Sequence, residues 1–253
     1  MPLVISPLHD FPMIEPGDGI APAILDCMHK TGVAMNDGDV FVITQKVISK
    51  AENRYYFLDQ VTPSPQALEL ALDTDKDPRL VELILRESNE VVRKRKNTLI
   101  VEHKLGFVCA GAGIDQSNIT SIAGRERVLL LPTDPDRSAR MIRKELMDAT
   151  DKQIGIMVID TQGRAWRNGV VGMCIGLSGL PALVDKRGKN DLFGNTLQIT
   201  VIGVADELAA AASLMMGQAA EGTPVVHVRG FPYPLEEGNF NDILRSKDVD
   251  LFR

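Results

Sequence analysis

The stretch "IGIMVIDTQGRAWRNG" (154–169) sets the reading of the chain. Six residues in a row are glycine or apolar and largely β-branched, which marks a strand buried on both faces rather than an alternating surface strand. The run stops at Asp160, and within seven residues come Thr161, Gly163, Arg164, Trp166 and Arg167. A buried strand that hands a carboxylate, a hydroxyl and two guanidinium groups to one loop is the sequence pattern of a site carried on a rigid support. The residue before that loop, and the loop itself, are where function is sought first.

Working outward, "DVFVIT" (39–44), "NTLIVEH" (97–103), "TLQITVIGV" (196–204) and "PVVHVRG" (224–230) have the same β-branched enrichment and complete the expected sheet. The segment 77–95, "DPRLVELILRESNEVVRKR", reads as a long helix with Asp77 as N-cap and Pro78 at the first helical position. Val81, Ile84, Leu85, Ser88, Val91 and Val92 would share one face, and the basic cluster Arg93–Lys96 would complement the dipole at its end. "DRSARMIRKELMDA" (136–149) and "ADELAAAASLMMG" (205–217) are two further helices, and the small residues Ala209–Ala212 would let the second approach a neighbour closely. "VTPSPQ" (61–66) reads as a turn before a helix. Strands and helices mix without strict alternation and no linker divides the 253 residues, so the expectation is one α+β domain over 1–253, neither Rossmann nor P-loop.

Composition limits the function classes. The chain is 44% hydrophobic and 25% charged, with net charge −6, so it lacks the positive field that draws proteins to nucleic acid. No apolar run reaches membrane-spanning length and the opening residues lack the pattern of a signal peptide, which makes the cytoplasm the expected location. Cys27, Cys109 and Cys174 are widely spaced and read as buried thiols. The four histidines show no zinc spacing, and neither a G-x-x-x-x-G-K-[ST] loop nor G-x-G-x-x-G occurs.

Polar residues at strand ends remain. Asp160-Thr161 follows one apolar run, and Asp115 sits in "GAGIDQSN" (111–118) beside Ser117 and Asn118. Two carboxylates with neutral oxygens suit magnesium or manganese, although each Asp could equally cap its own turn. In "TQKVISKAENR" (44–54), Lys46 and Lys50 are four apart and would project from one side of a helical turn, as a phosphate-binding pair or as a solvated face.

Taken in order, "GDVFVITQKVISKAENR", "GFVCAGAGIDQSN", "LLLPTDPDRSAR", "GIMVIDTQGRAWRNGVVGMCIGLSGL", "DLFGNTLQIT", "ADELAAAASLMMG" and "PVVHVRG" closely resemble the coenzyme F420-0:γ-glutamyl ligase family across essentially the whole chain. The resemblance implies a homodimeric ligase with its own α+β architecture. GTP would phosphorylate the terminal carboxylate of the precursor F420-0, and the amine of L-glutamate would displace phosphate, with γ-linked elongation able to follow. It implies nucleotide contacts at Pro12, Met13, Ile14 and Glu15, at Gln45, Lys46 and Lys50, at Asn118, and along Met216, Gly217, Gln218, Ala219, Ala220, Glu221, Gly222 and Thr223. Asp115, Asp160, Lys46 and Lys50 would carry catalysis. Asp115 and Asp160 would hold one divalent metal, magnesium or manganese, and Thr161 and Gln218 a second, with potassium also required. Arg164 and Arg167 are inferred from the residues alone to meet phosphate or carboxylate groups of the substrates, or else to pair with Asp134 or Asp136.

Three positions depart from the family pattern: Gln218 stands where glutamate is common, Gly111 where asparagine is, and Asn53 where glycine is. Two functions stay open from the sequence: an active GTP-dependent glutamate ligase, or a nucleotide- and metal-binding homologue with altered catalysis that serves as a partner in cofactor biosynthesis.

Overall fold

The computed structural model describes residues 2–251. Along the chain come β1 (Val4–Pro7), α1 (Ile20–Thr31), β2 (Val40–Thr44), α2 (Gln45–Ala51), β3 (Tyr55–Phe57), α3 (Pro65–Thr74), α4 (Pro78–Arg86), β4 (Ser88–Arg95), β5 (Thr98–His103) and β6 (Val108–Ala110). Then follow β7 (Arg127–Leu129), α5 (Pro135–Thr150), β8 (Gly155–Gly163), β9 (Val170–Ser178), β10 (Val184–Asp185), β11 (Val201–Ile202), α6 (Val204–Met216) and β12 (Val225–Arg229).

The central sheet has the order β1-β12-β2-β8-β9, with β2 and β8 parallel and the other neighbours antiparallel. Both faces are covered at its centre, which is why residues 40–43 of β2 and 155–159 of β8 are glycine or apolar without alternation. Phe41, Ile43, Ile156 and Val158 pack on one face with residues of α1 and α5, while Val40, Val42, Met157 and Ile159 pack on the other with Ala205, Ala209 and Ala212 of α6. The small residues of α6 do permit a close approach. A Cβ added at Gly172 of β9 would lie 2.7 Å from the Ala209 carbonyl oxygen and 2.5 Å from Ser213 Cβ.

Between β2 and β8 the chain builds two smaller sheets, β4-β5-β6 and β3-β7, and β10 pairs with β11 further on. The mixed α+β class is as expected, and α3 starts after the turn with Ser64 as N-cap, accepting from the Ala67 amide. The three cysteines are buried.

Four expectations are corrected. The helix begun at Pro78 ends at Arg86, where the Ser88 hydroxyl donates to the Ile84 carbonyl, and 88–95 is strand β4. Val91 and Val92 continued the helical period by coincidence; pairing with β5 decides the segment, through Val91 with Val101 and Arg95 with Thr98. The basic cluster is therefore part of a hairpin, where Lys94 pairs with Asp73 and Lys96 with Asp75. In 196–204 only Val201–Ile202 is strand, because it finds a single two-residue partner in β10. Finally, β8 does not stop at Asp160. It continues to Gly163 because β9 follows it, Asp160 opposite Met173 and Thr161 opposite Gly172.

Candidate functional site

The register of the parallel pair explains how residues inside a strand come to line a cavity. β2 pairs with β8 as far as Thr44 and Ile159, then turns into α2. Asp160 and Thr161, one and two residues further on, have β9 on one side and, among the described residues, no strand on the other. The gap lies at the carboxyl ends of two parallel strands, where open sheets place their ligands.

A cavity of about 470 Å³ fills that gap. Its wall brings together Pro12, Met13 and Ile14 from the N-terminal segment, Gln45, Lys46 and Lys50 from α2, Asp115 and Asn118, Asp160 and Thr161, and all of Met216–Thr223. Glu15 is exposed and does not line the wall; its amide is taken by Asp18. Arg164 and Arg167 also lie outside the wall, exposed in the β8–β9 turn. The alternative pairing with Asp134 or Asp136 is not formed: Asp134 caps α5 through the Arg137 amide, and Asp136 accepts from the amides of Leu177 and Phe240.

Asp115 is held on both oxygens. Gln45 Nε2 donates to Oδ2 at 2.5 Å and Lys46 Nζ lies 2.6 Å from Oδ1. Lys46 also donates to the Ser117 carbonyl at 3.4 Å, which ties α2 to the Asp115 loop. Asn118, in a left-handed conformation with φ 55°, donates across the cavity to the Ala219 carbonyl. The 216–223 loop is closed at its base by Thr223, whose hydroxyl donates to the Met216 carbonyl, and Gln218 Nε2 donates to Ser213 Oγ at 2.9 Å.

The charges are arranged for a ligand. Burial, and after it the neighbouring Asp115, push the Asp160 carboxyl pKa from 3.8 up to about 6. Burial and then Lys46 push the Lys50 ammonium pKa down. Lys50 is only 9% exposed, its ammonium opens onto the cavity, and among the described residues nothing forms a hydrogen bond or ion pair with that ammonium. A buried cation without a partner is costly unless an anion arrives from outside. By contrast, a cleft of about 560 Å³ beside α5 is internally neutralised, Arg143 by Glu237 and Lys144 by Asp148.

The donor set fits a hard divalent cation whose remaining ligands are water and phosphate. Asp115 raises the cost of charge on Asp160 in one partly buried place, with the hydroxyl of Thr161 and the amide of Gln218 on the same wall. No group of three or more His, Cys, Asp or Glu exists among the described residues to form an all-protein cage. Such a site is suited to a metal that arrives with a nucleotide's phosphates.

Sequence reading singled out Ser117 beside Asp115 but missed Ser213 and Ser49. Ser213 is a lone hydroxyl on an otherwise apolar helix face and Ser49 lies one turn after Gln45, faint signals that only the packing makes specific. The departures at Gly111 and Asn53 have a shared cause: φ is 58° and 54°, and glycine and asparagine are the two residues that tolerate this region best.

A family model for F420-0:gamma-glutamyl ligase matches residues 9–230. The coenzyme F420:L-glutamate ligase of Methanothermobacter thermautotrophicus is 43% identical over 96% of this chain and 95% of its own length. The protein of that description from Methanopyrus kandleri is 46% identical over 95% of this chain and 93% of its own. That from Archaeoglobus fulgidus is 41% identical over 100% and 97%. The chain belongs to the F420-0:gamma-glutamyl ligase family.

Proposed function

We propose that this protein is a ligase that joins L-glutamate to coenzyme F420-0, using GTP and an acyl-phosphate intermediate. Family membership over nearly the full length supports the reaction, and the carrying observation for its chemistry is Lys50: a buried, unpartnered cation on the wall of a cavity that also holds Asp115 and Asp160. Lys46 and Lys50 would take the phosphate oxygens, while the 216–223 loop, Pro12, Met13 and Ile14 enclose the nucleotide. Asp115 and Asp160, with Thr161 and Gln218, would hold magnesium or manganese at one or two positions; when bound, such an ion neutralises phosphate charge during transfer. Potassium belongs to the same expectation.

In the first step a carboxylate oxygen of the precursor forms a bond to the γ-phosphorus as the bond to the β,γ-bridging oxygen breaks, and GDP leaves. In the second the amine nitrogen of glutamate attacks the acyl carbon, phosphate leaves with its oxygen, and the amine loses a proton. Burial of the reacting carboxylate away from water protects the acyl phosphate between these steps. Incubating the pure protein with F420-0, glutamate, GTP and manganese, and following product mass, tests the assignment. Glutamyl adducts that require GTP are expected; no adduct with any nucleotide would reject it.

A homodimer is supported by the 190–199 loop. Asp191 Oδ1 accepts from the amides of Phe193 and Asn195, fixing a turn that leaves Leu192 and Phe193 90% or more exposed. An ordered turn that presents two apolar side chains suits burial against a second copy.

Gln218 offers a sharper test of the metal assignment. Ser213 can donate to a carboxylate as readily as it accepts from the amide, so Gln218→Glu should fold unchanged. The added charge should lower the metal concentration for half-maximal rate by roughly three- to tenfold. An unchanged metal titration would place Gln218 outside the coordination shell.

Arg164 and Arg167, exposed in the β8–β9 turn, are proposed to receive the lengthening acidic tail of the product. Replacing either with alanine should shift products toward shorter chains more than it slows the first addition. An unaltered chain-length distribution at matched first-step conversion would reject that role.

A further inference from the structure

A buried pair of hydrogen bonds runs from α2 to Asp115. Gln45 opens the helix and Ser49 follows one turn later, so their side chains share a face, and they are 1% and 0% exposed. Ser49 Oγ donates to Gln45 Oε1 at 2.9 Å, and Gln45 Nε2 donates to Asp115 Oδ2 at 2.5 Å.

Chemistry fixes the direction of both bonds. An ionised carboxylate only accepts, so the Gln45 amide must turn its NH2 toward Asp115. Its carbonyl oxygen then faces the opposite way and needs a donor. Among the described residues Ser49 is the one that supplies it. Rotation of the amide is penalised at Asp115, where it would set carbonyl oxygen against carboxylate; the Ser49 hydroxyl could donate or accept, and its part is to give the buried carbonyl oxygen its donor. Without it, the buried carbonyl is unpaired and the Gln45 side chain loses the bond that anchors it on the side away from Asp115.

We infer that Ser49 is a positioning residue for the ligase reaction, which anchors the Gln45 amide by satisfying its buried carbonyl oxygen and through it fixes the Asp115 carboxylate toward the cation it binds. The inference rests on the reading of Asp115 as a cation ligand. Ser49 is absent from the cavity wall, so it acts only through Gln45. Lys46 holds the second oxygen of Asp115 from the cavity side, where an incoming ligand can compete for it; the bond from Gln45 is the one anchored behind the site.

Manganese binding by the full-length protein without substrates, followed by the paramagnetic resonance signal of free Mn2+, tests this independently of turnover. Ser49→Ala removes one oxygen from a helix and keeps helical propensity, so it should fold. It should weaken Mn2+ binding roughly five- to twentyfold, the scale of a lost buried hydrogen bond at a ligand. Gln45→Ala should weaken binding to a similar degree, the double variant should bind no more weakly than Gln45→Ala alone, and Ser49→Thr, which keeps the hydroxyl, should bind like wild type. Wild-type affinity in Ser49→Ala, or independent effects in the double variant, would overturn the role of Ser49 while leaving the cation site intact. If Asp115→Asn binds Mn2+ as tightly as wild type, the assignment of Asp115 as a ligand fails first and the role of Ser49 falls with it.

Discussion

Replacing Asp160 with asparagine is expected to abolish turnover and, in the same variant, to stabilise the metal-free protein at neutral pH. The loss of activity follows from its place beside Asp115 at the open end of the parallel strand pair, where one anionic ligand fewer leaves the phosphates poorly neutralised; a fall of at least about a thousandfold is expected. The gain in stability follows from the same geometry. A carboxyl raised from 3.8 to about 6 by burial and by Asp115 is held in its charged form at a cost. That cost is absent below the unfolded value near 3.8, grows as pH rises, and is complete above about 6. Asparagine mimics the neutral form. In chelator, Asp160→Asn should therefore match wild type near pH 4 and exceed it above pH 6, by at most about 3 kcal/mol. Denaturant melts at the two pH values check the sign. A variant less stable than wild type at pH 7 would mean that Asp160 is a structural cap and not a ligand kept at a cost.

Lys50→Met is expected to be the second large effect. Among the described residues the ammonium has no partner to lose, so its removal should leave the fold intact and relieve a largely buried charge. What it should remove is a charge-assisted bond to nucleotide, worth about 1.5–3 kcal/mol, which is roughly ten- to a hundredfold in GTP affinity. Titration calorimetry with GTP and manganese measures this directly. If GTP affinity is unchanged and the variant instead unfolds more easily, Lys50 is a packing residue whose stem matters more than its charge.

How much of this was legible depended on how locally each feature is encoded. β2, β8 and β12 could be read because each is buried on both faces, so every residue of "VFVIT" or "GIMVI" reports the same environment. The segment 77–95 could not, because Val91 and Val92 suit a helix period and a strand equally, and the choice is made by β5, which follows them in the chain. Asp160 could be singled out as a carboxylate on a rigid strand, yet its place on the cavity wall comes from β2 ending one register position earlier. Arg164 and Arg167 looked adjacent to it in sequence, and the hairpin carries them away from the cavity wall. The bond between Gln45 and Asp115 joins residues seventy apart, so neither composition nor period could announce it. The interchange of glycine and asparagine at Gly111 and Asn53 becomes intelligible only from the backbone angles.

The central claim is that this cavity transfers phosphate from a nucleotide to a carboxylate before the amide bond forms. F420-0 labelled with heavy oxygen in its terminal carboxylate, incubated with the protein, glutamate, GTP and manganese, tests it most directly. The account predicts that inorganic phosphate released with each glutamyl product carries one labelled oxygen, since the carboxylate oxygen that attacked phosphorus departs with it. Phosphate free of label, with glutamyl product still accumulating, would show that the carboxylate is never phosphorylated and would contradict the assignment of Lys46, Lys50, Asp115 and Asp160 to that step.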